Sequence, residues 1–143
     1  PLPVAESKPF AFAEHAKRFA APEFAANASV KVERTKHQQG KKGDKDAKEI
    51  DVFKLTVPTA VQTFANRAFR YDVTVEAKDG ATILKRRVLA PDYHLPLEKA
   101  AKDFVLPMPV EDLPKDKEFR FAAVAFNCFG KSGKALTTEF FKV

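Results

Sequence analysis

The 143-residue sequence contains no tryptophan, one methionine and a single cysteine, Cys128. One cysteine excludes an intramolecular disulfide and any zinc site built on several cysteines. No apolar run approaches the roughly 20 residues that a membrane-spanning helix needs, so we expect no membrane insertion. The opening residues Pro1-Leu2-Pro3-Val4 lack the basic and apolar parts of a signal peptide. The compartment therefore stays open, with the periplasm or the cell surface favoured.

Phenylalanine dominates the apolar part of the composition, with 14 copies against two tyrosines. Aromatic and β-branched side chains pack well on a half-buried pleated sheet, so this composition favours strands over helices. The chain length suits one domain with a core of its own. The net charge of +6 favours acidic partners in general, but it indicates neither a fold nor an activity.

Apolar and polar residues alternate most clearly over residues 69–78. A period of two places one set of side chains on the core and the other in water. Asp79-Gly80 then supplies a hairpin turn, and residues 81–89 return as the partner strand. The sequence predicts an all-β fold for residues 25–143, a two-sheet antiparallel sandwich of about seven strands. The other five predicted strands are residues 29–33, 50–57, 104–110, 118–127 and 136–143.

Three local patterns add detail to this sandwich. Apolar positions change phase between Val52 and Phe53, which predicts either a bulge or burial on both faces of that strand. Pro107 and Pro109 remove two backbone donors and therefore place their strand at a sheet edge. The lysine-rich residues 36–48 include a long stretch without apolar side chains, which predicts a solvated, mobile loop.

Residues 1–24 differ from the rest, and we predict a linker or a short helix that comes from a preceding domain. Apolar residues recur at near-helical spacing over residues 11–20, between Pro9 and Pro22, which favours a helix. An extended linker laid on the sandwich is the alternative. The start at proline rather than methionine leads us to expect a piece of a larger bacterial protein. Four aromatic side chains are expected to pack on the sandwich rather than on a preceding domain: Phe10, Phe12, Phe19 and Phe24.

The last part of the chain resembles the end of a fibronectin type III domain. Residues 113–121 read as a Leu-Pro turn leading into a strand, and residues 123–132 as a small-residue stretch with an asparagine and a Gly-Lys-Ser turn. The family usually has tyrosine where this chain has Phe119, and its usual tryptophan is missing, with Phe53 as the candidate replacement. The resemblance implies an immunoglobulin-like sandwich and no particular function.

A narrower resemblance concerns the order of three stretches, residues 70–73, 92–96 and 119–132. It is similar to the β-sandwich that follows the catalytic domain in some bacterial calcineurin-like phosphoesterases. The catalytic domains of that family hold two metals with histidine and aspartate residues, and none of those motifs belongs to this chain. The resemblance implies a non-catalytic accessory domain of a larger hydrolase.

Two short motifs resemble parts of known sites, and neither is complete. Asp92-Tyr93-His94 fits the Asp-x-His pattern of a metallophosphoesterase, but a two-metal site needs further Asn and His ligands, and only His15 and His37 remain. Gly130-Lys131-Ser132 resembles the tail of a phosphate-binding loop, but Ala125 replaces the first glycine and a strand is predicted to follow. We expect the first motif to be a surface turn and the second to be accidental.

Three further candidates have little support as functional residues. Cys128 needs a neighbouring base to act as a nucleophile, and we expect it to lie buried or half-buried on a strand. Asn27-Ala28-Ser29 fits a glycosylation sequon, which a bacterial source would make irrelevant. Arg86-Arg87 beside Lys85 could touch nucleic acid, but the nearby aromatic residues fall on core positions. We therefore predict no catalytic, cofactor-binding or metal-binding residues, no cofactor and no nucleic-acid partner.

The chain alone is accordingly expected not to be an enzyme. The first functional hypothesis is a structural accessory domain, monomeric by itself, that docks on a neighbouring domain of the same polypeptide. The alternative is a module that binds carbohydrate or a surface partner through loops at one end of the sandwich. Sugar sites typically present exposed aromatic platforms, and this chain offers only Tyr93 and Tyr71, of which we expect Tyr71 to be buried.

Overall fold

A computed structural model describes residues 18–41, 43, 45–61 and 63–143. Within these residues the chain forms seven strands in two antiparallel sheets, and its helical parts are three single 3-10 turns. The turns are Phe64–Asn66, Leu97–Lys99 and Val110–Asp112. The strands are β1 (Lys31–Gln39), β2 (Lys48–Pro58), β3 (Arg70–Ala77), β4 (Thr82–Leu89), β5 (Asp103–Pro109), β6 (Phe119–Phe126) and β7 (Leu136–Thr137).

The first sheet has the order β1-β2-β5, and the second has the order β4-β3-β6-β7. Every pairing is antiparallel. Alternate side chains of both sheets meet in one buried core, as the period-two patterns require. The predicted all-β, two-sheet sandwich is confirmed.

β3 and β4 form the predicted hairpin through Asp79-Gly80. The N–H of Gly80 donates to the Ala77 carbonyl at 3.0 Å, and the N–H of Ala81 donates to the Asp79 carboxylate at 2.9 Å. Gly80 has a φ of 92°, a left-handed conformation that glycine adopts at no steric cost. The turn chemistry therefore decides the position of this hairpin.

The predicted loop over residues 36–48 is too long, because its two ends belong to strands. β1 and β2 pair without a break as far as Gln39 and Lys48, so only residues 40–47 connect them. Polar side chains do not prevent a ladder where both faces of a hairpin lie in water, because the backbone supplies the hydrogen bonds. Composition alone therefore could not separate this exposed hairpin from a loop.

Two ion pairs support the exposed part of the β1–β2 hairpin. The Asp51 carboxylate lies 3.1 Å from the Lys36 ammonium and 3.3 Å from the Arg34 guanidinium. Hydrogen bonds from Lys36 and then Arg34 hold the pKa of Asp51 below its usual value. Because the pairs are exposed, they contribute little to stability, and the backbone ladder remains the main cause of the strand.

The phase change in β2 reflects burial on both faces rather than a bulge. The side chains of Val52 and Phe53 point to opposite faces of the strand, and both are buried. The ladders of β2 with β1 and with β5 run past them without a register shift. β2 is the central strand of its sheet, whereas β5 lies at an edge, as Pro107 and Pro109 predicted.

The final strand is much shorter than the predicted residues 136–143. The continuous ladder with β6 covers Leu136–Thr137. Phe141 pairs with Phe119 of β6 only as an isolated bridge, at a register that has moved by one residue. At the shift, the Thr138 hydroxyl accepts the N–H of Phe121 at 3.0 Å. A side-chain oxygen that takes a backbone donor in this way interrupts the ladder.

Aromatic rings join the two sheets. Phe53 of β2 lies with its ring centroid 6.5 Å from that of Phe119 and 6.2 Å from that of Phe121, both on β6. Nearer the other end of the core, Tyr71 of β3 lies 4.9 Å from Phe104 of β5. Such tilted and edge-on pairs add to the free energy of apolar burial, by about 0.5–1.5 kcal/mol each.

The Tyr71 hydroxyl also satisfies a buried backbone donor, because the N–H of Ala60 donates to it at 2.9 Å. Both residues are buried. Burial raises the pKa of Tyr71, and the Ala60 hydrogen bond opposes the rise. The native state therefore favours the neutral phenol.

Replacing Tyr71 by phenylalanine keeps the ring but leaves the Ala60 N–H without an acceptor. We expect the free energy of unfolding at neutral pH to fall by about 1–3 kcal/mol. The raised pKa means that Tyr71 contributes in full below the usual pKa of 10.0, and that this contribution is lost as the pH rises through the folded-state value. Urea unfolding at neutral and at alkaline pH should therefore show a difference in the free energy of unfolding between wild type and Tyr71→Phe. We expect this gap to be smaller at alkaline pH. Tyr93→Phe, at an exposed site, is the matched control, and an equal gap at both pH values would contradict the assignment.

Candidate functional site

Three loops meet at one end of the sandwich, which we call the loop end: residues 59–69, 90–102 and 127–135. Arg67 joins the first two, because its Nη2 donates to the carbonyl of Asp92 at 3.1 Å and to that of Leu95 at 2.7 Å. Its guanidinium also lies over the ring of Tyr93, 4.8 Å from the centroid. One side chain thus holds two loops in a fixed relation.

Residues 18–24, the anchor segment, are bound to the loop end. The N–H of Ala20 donates to the Ala65 carbonyl at 2.9 Å, and Lys131 Nζ donates to the carbonyl of Phe19 at 2.9 Å. The ring of Phe19 stacks on that of Phe129, with centroids 5.0 Å apart. The anchor segment is therefore packed on the sandwich.

The prediction for the N-terminal phenylalanines is confirmed for the two that the structure describes. Phe19 packs on the loop end, and Phe24 lies 6.2 Å from Tyr71. Phe10 and Phe12 lie outside the described residues, as does most of the predicted helix over residues 11–20. Its described part, residues 18–20, is a turn and a bend.

Asn127 connects the anchor segment to the last loop. Its side chain is buried, its Nδ2 donates to the Ala20 carbonyl at 3.2 Å, and its Oδ1 accepts the N–H groups of Phe129 and Lys131 at 3.0 and 2.9 Å. A carboxamide supplies both a donor and an acceptor, so aspartate or leucine could not make the same set of bonds. This residue therefore organises the loop end.

Gly133 permits a close approach of two chain segments. A Cβ atom at this position would lie 2.1 Å from the carbonyl oxygen of Pro22, far inside contact distance, and Pro22 is itself buried. The absent side chain therefore allows the anchor segment to cross the last loop.

A cavity of about 310 Å³ opens between the loops of this end. Its wall is mostly apolar, with the Arg67 guanidinium as the cationic group. The lining residues are Phe19, Ala65, Arg67, Tyr93, Leu97, Asn127 and Cys128. A concave apolar surface with a few polar groups is the usual form of a binding site.

Three of the sequence motifs fall at this end of the sandwich, in two different loops. Asp92-Tyr93-His94 lies in a turn, and the described residues contain no group of three or more His, Cys, Asp or Glu that could hold a metal ion. Cys128 is exposed in the turn after β6, so the prediction of a buried or half-buried strand cysteine is wrong. Gly130-Lys131-Ser132 is also part of that turn, and its lysine binds the anchor segment.

The remaining motifs lie elsewhere. Asn27 is exposed in the turn before β1, and Lys85, Arg86 and Arg87 lie on β4. Among the described residues, no helix has the length and apolar character to cross a membrane. Sequence reasoning did not find Arg67 or Gly133, whose partners are distant in the chain, and it noted Asn127 only as part of a resemblance.

The close approach at Gly133 generates a stability prediction. We expect Gly133→Ala to displace Pro22 and lower the melting temperature by several degrees, at about 2–4 °C per kcal/mol for a domain of this size. Deleting residues 1–23 should lower it as well, because the anchor contacts are lost. In the deleted chain, however, Gly133→Ala should have little further effect, because the Pro22 carbonyl is gone. Calorimetry of the wild type, Gly133→Ala, the deletion of residues 1–23 and the two changes together measures this coupling. If Gly133→Ala lowers the melting temperature equally with and without residues 1–23, the contact is ruled out.

Comparisons of the chain with family models, with curated proteins and with solved structures found no match. The likeness to fibronectin type III domains and to a phosphoesterase accessory domain therefore rests on the residues quoted above. What the structure establishes is a β-rich domain of two antiparallel sheets.

Proposed function

We propose that this chain is a non-catalytic accessory domain, fibronectin type III-like in topology, that docks on a neighbouring domain of the same polypeptide. The observation that carries the proposal is the bound anchor segment. Hydrogen bonds to Ala65, Asn127 and Lys131 fix the chain where it joins the sandwich. The chain therefore enters the sandwich at the loop end, which is the side on which we propose that a neighbouring domain docks.

The strand order supports the fibronectin type III-like assignment. The first, second and fifth strands form one sheet, and the other four form the second, an arrangement that fits an immunoglobulin-like sandwich. Phe119 begins β6, near the position at which such domains carry their corner tyrosine. Phe53 occupies the core between the sheets, where it can substitute for the missing tryptophan.

A bacterial calcineurin-like metallophosphoesterase is the parent protein that we propose. Support comes from the resemblance of residues 70–73, 92–96 and 119–132 to the sandwich that follows such catalytic domains. Two of these stretches contribute to the loop end: Arg67 binds the carbonyl of Leu95, and Asn127 binds the anchor segment. The loop end would then be the face toward the catalytic domain.

Carbohydrate binding is the weaker candidate. The cavity at the loop end and the partly exposed ring of Tyr93 favour it. However, the Arg67 guanidinium covers one face of that ring, and Phe69 packs edge-on against it at 5.2 Å. A sugar platform needs an open aromatic face, so this arrangement favours protein docking.

Hydrogen exchange tests the docking role. In the natural full-length protein, amides of residues 59–69 and 127–135 should exchange more slowly than in the isolated chain, because a docked domain excludes water and restricts opening. Amides of the turns at residues 40–47 and 110–117, which are not at the loop end, serve as the internal control. Equal exchange at the loop end in both proteins would reject docking there, as would a natural protein without a preceding domain.

An activity assay tests the non-catalytic assignment. The chain incubated with a generic phosphate monoester should hydrolyse it no faster than buffer, with or without added zinc or manganese. This chemistry needs several ligands that converge on two metals, and the part of the chain that the structure describes contains no group of three or more His, Cys, Asp or Glu that could hold even one. Metal-dependent turnover by the purified chain, lost on chelation, would contradict the proposal.

A further inference from the structure

The outer face of the four-stranded sheet carries three cations around one buried carboxylate. Asp72 of β3 has a side chain only 4% exposed, and its oxygens lie 3.3 Å from Arg87 Nε, 3.2 Å from Lys85 Nζ and 3.8 Å from Arg70 Nε. Asp72 is paired with Arg87 in the ladder. Lys85 lies two positions from Arg87 on β4, and Arg70 lies two positions from Asp72 on β3. All four side chains therefore share one face of the sheet. We call these four residues the Asp72 cluster.

The Asp72 cluster has more positive charge and more donors than its carboxylate can satisfy. Three cations against one anion leave an excess of two charges. Lys85 and Arg87 have side chains more than half exposed, and each presents several N–H donors. Arg70 is less exposed, and its buried Nε lies 3.8 Å from Asp72, so Lys85 and Arg87 supply most of the donors that a partner can reach. The cluster could therefore accept a further anion without rearrangement of Asp72.

The excess charge is local to this part of the face. Farther along the sheet, Arg120 pairs with Glu76 at 3.0 Å, so this pair has no excess positive charge. The ring faces nearby are already occupied, because the Arg70 guanidinium lies over Phe126 at 4.2 Å and that of Arg120 over Phe140 at 4.8 Å. A nucleic acid would need a longer cationic track and free rings for base stacking, whereas one or two carboxylates match the cluster.

An exposed apolar side chain lies beside the cluster. Leu89 is 66% exposed and is the ladder partner of Arg70, so the two share one face. Val124, partly exposed, is the partner of Asp72 on the other side. β4 forms the edge of the sheet, which leaves room for a partner along it.

We propose that the Asp72 cluster, together with Leu89, is a docking surface for an acidic segment of a protein partner. The partner places carboxylates against Arg70, Lys85 and Arg87, and an apolar side chain on Leu89. Charge complementarity identifies this partner. Asp72 holds the cations in place before binding, which reduces the entropy lost when the segment docks.

Protection of an edge strand is the simpler explanation for charged residues on β4, because lysine and arginine there discourage pairing with other chains. That role requires only exposed charges. It does not explain why a carboxylate is removed from water to gather three cations, which costs solvation free energy. Focusing the cations on one point is what an anion-binding surface requires.

The docking surface adjoins the loop end at Arg70 and Leu89 but shares no residue with it. This inference therefore does not depend on the proposed function, and the separate sets of residues in the two tests show which of the two proposals fails. The test is an NMR titration of the chain with a short synthetic peptide that carries glutamate at alternate positions and one terminal leucine. We expect amide shifts concentrated at residues 70–74 and 84–89, weakening as the ionic strength rises.

A charge-matched pair of variants makes the test specific. Lys85→Glu with Arg87→Glu and, as the control, Lys115→Glu with Lys117→Glu each lower the net charge from +6 to +2, since every change subtracts two. All four residues are exposed, but the first variant removes two partners of the buried Asp72 carboxylate, which is destabilising. Melting curves therefore check that each variant is folded. If the first is not, Lys85→Gln with Arg87→Gln replaces it, with Lys115→Gln and Lys117→Gln as the control of equal net charge. We expect the first variant to lose affinity about tenfold or more, and the control to lose about twofold or less.

Three results would overturn the proposal: no localised shifts at low ionic strength, an equal loss of affinity in both variants, or tighter binding of a DNA oligonucleotide than of the peptide at the same residues. The second would indicate attraction by the net charge alone. The third would indicate a nucleic-acid surface.

Discussion

The contact between the two sheets depends on a small number of aromatic rings. Phe53 is the only phenylalanine of β2, and it meets Phe119 and Phe121 of β6 and also Phe141 near the C-terminal end of the described chain, 5.4 Å away. In a chain without tryptophan, several smaller rings fill the space between the sheets. Because each ring touches several others, loss of one leaves a cavity lined by the rest, and such cavities cost several kcal/mol.

The ends of the domain are organised by this core. Tyr71 packs on Phe104 within it, and its hydroxyl accepts the N–H of Ala60, so the first residues of the loop 59–69 are fixed to a core side chain. Phe24 rests near the same tyrosine. Contacts with the core therefore hold the loop end in place. A rigid end is suited to a defined domain contact, because little conformational entropy is lost when the contact forms.

The two proposed surfaces use different physical means. At the loop end, an apolar cavity and backbone hydrogen bonds organise a surface whose proposed partner belongs to the same polypeptide. On the outer face of the four-stranded sheet, the Asp72 cluster offers charge, which acts over longer distances and suits a partner that arrives by diffusion. Neither surface requires the other, and the role that we propose for each is a contact with another protein segment.

Local patterns in the sequence predicted the elements that depend on neighbouring residues. The β3–β4 hairpin follows from period-two alternation and the Asp79-Gly80 turn, and the edge position of β5 follows from its two prolines. The extension of β1 to Gln39 and the early end of β7 were missed. Both depend on pairing with another strand: the exposed hairpin gains its bonds from β2, and Thr138 diverts a donor of β6.

The sequence by itself determined the all-β class, the antiparallel hairpin and the aromatic core, because each is encoded by composition or by residues close together in the chain. Only the tertiary structure decided the loop end and the Asp72 cluster. Asn127 meets Ala20 across 107 positions, and Asp72 gathers cations from two strands. Such contacts arise from strand order and register, because these decide which distant side chains become neighbours. A local sequence pattern does not specify them.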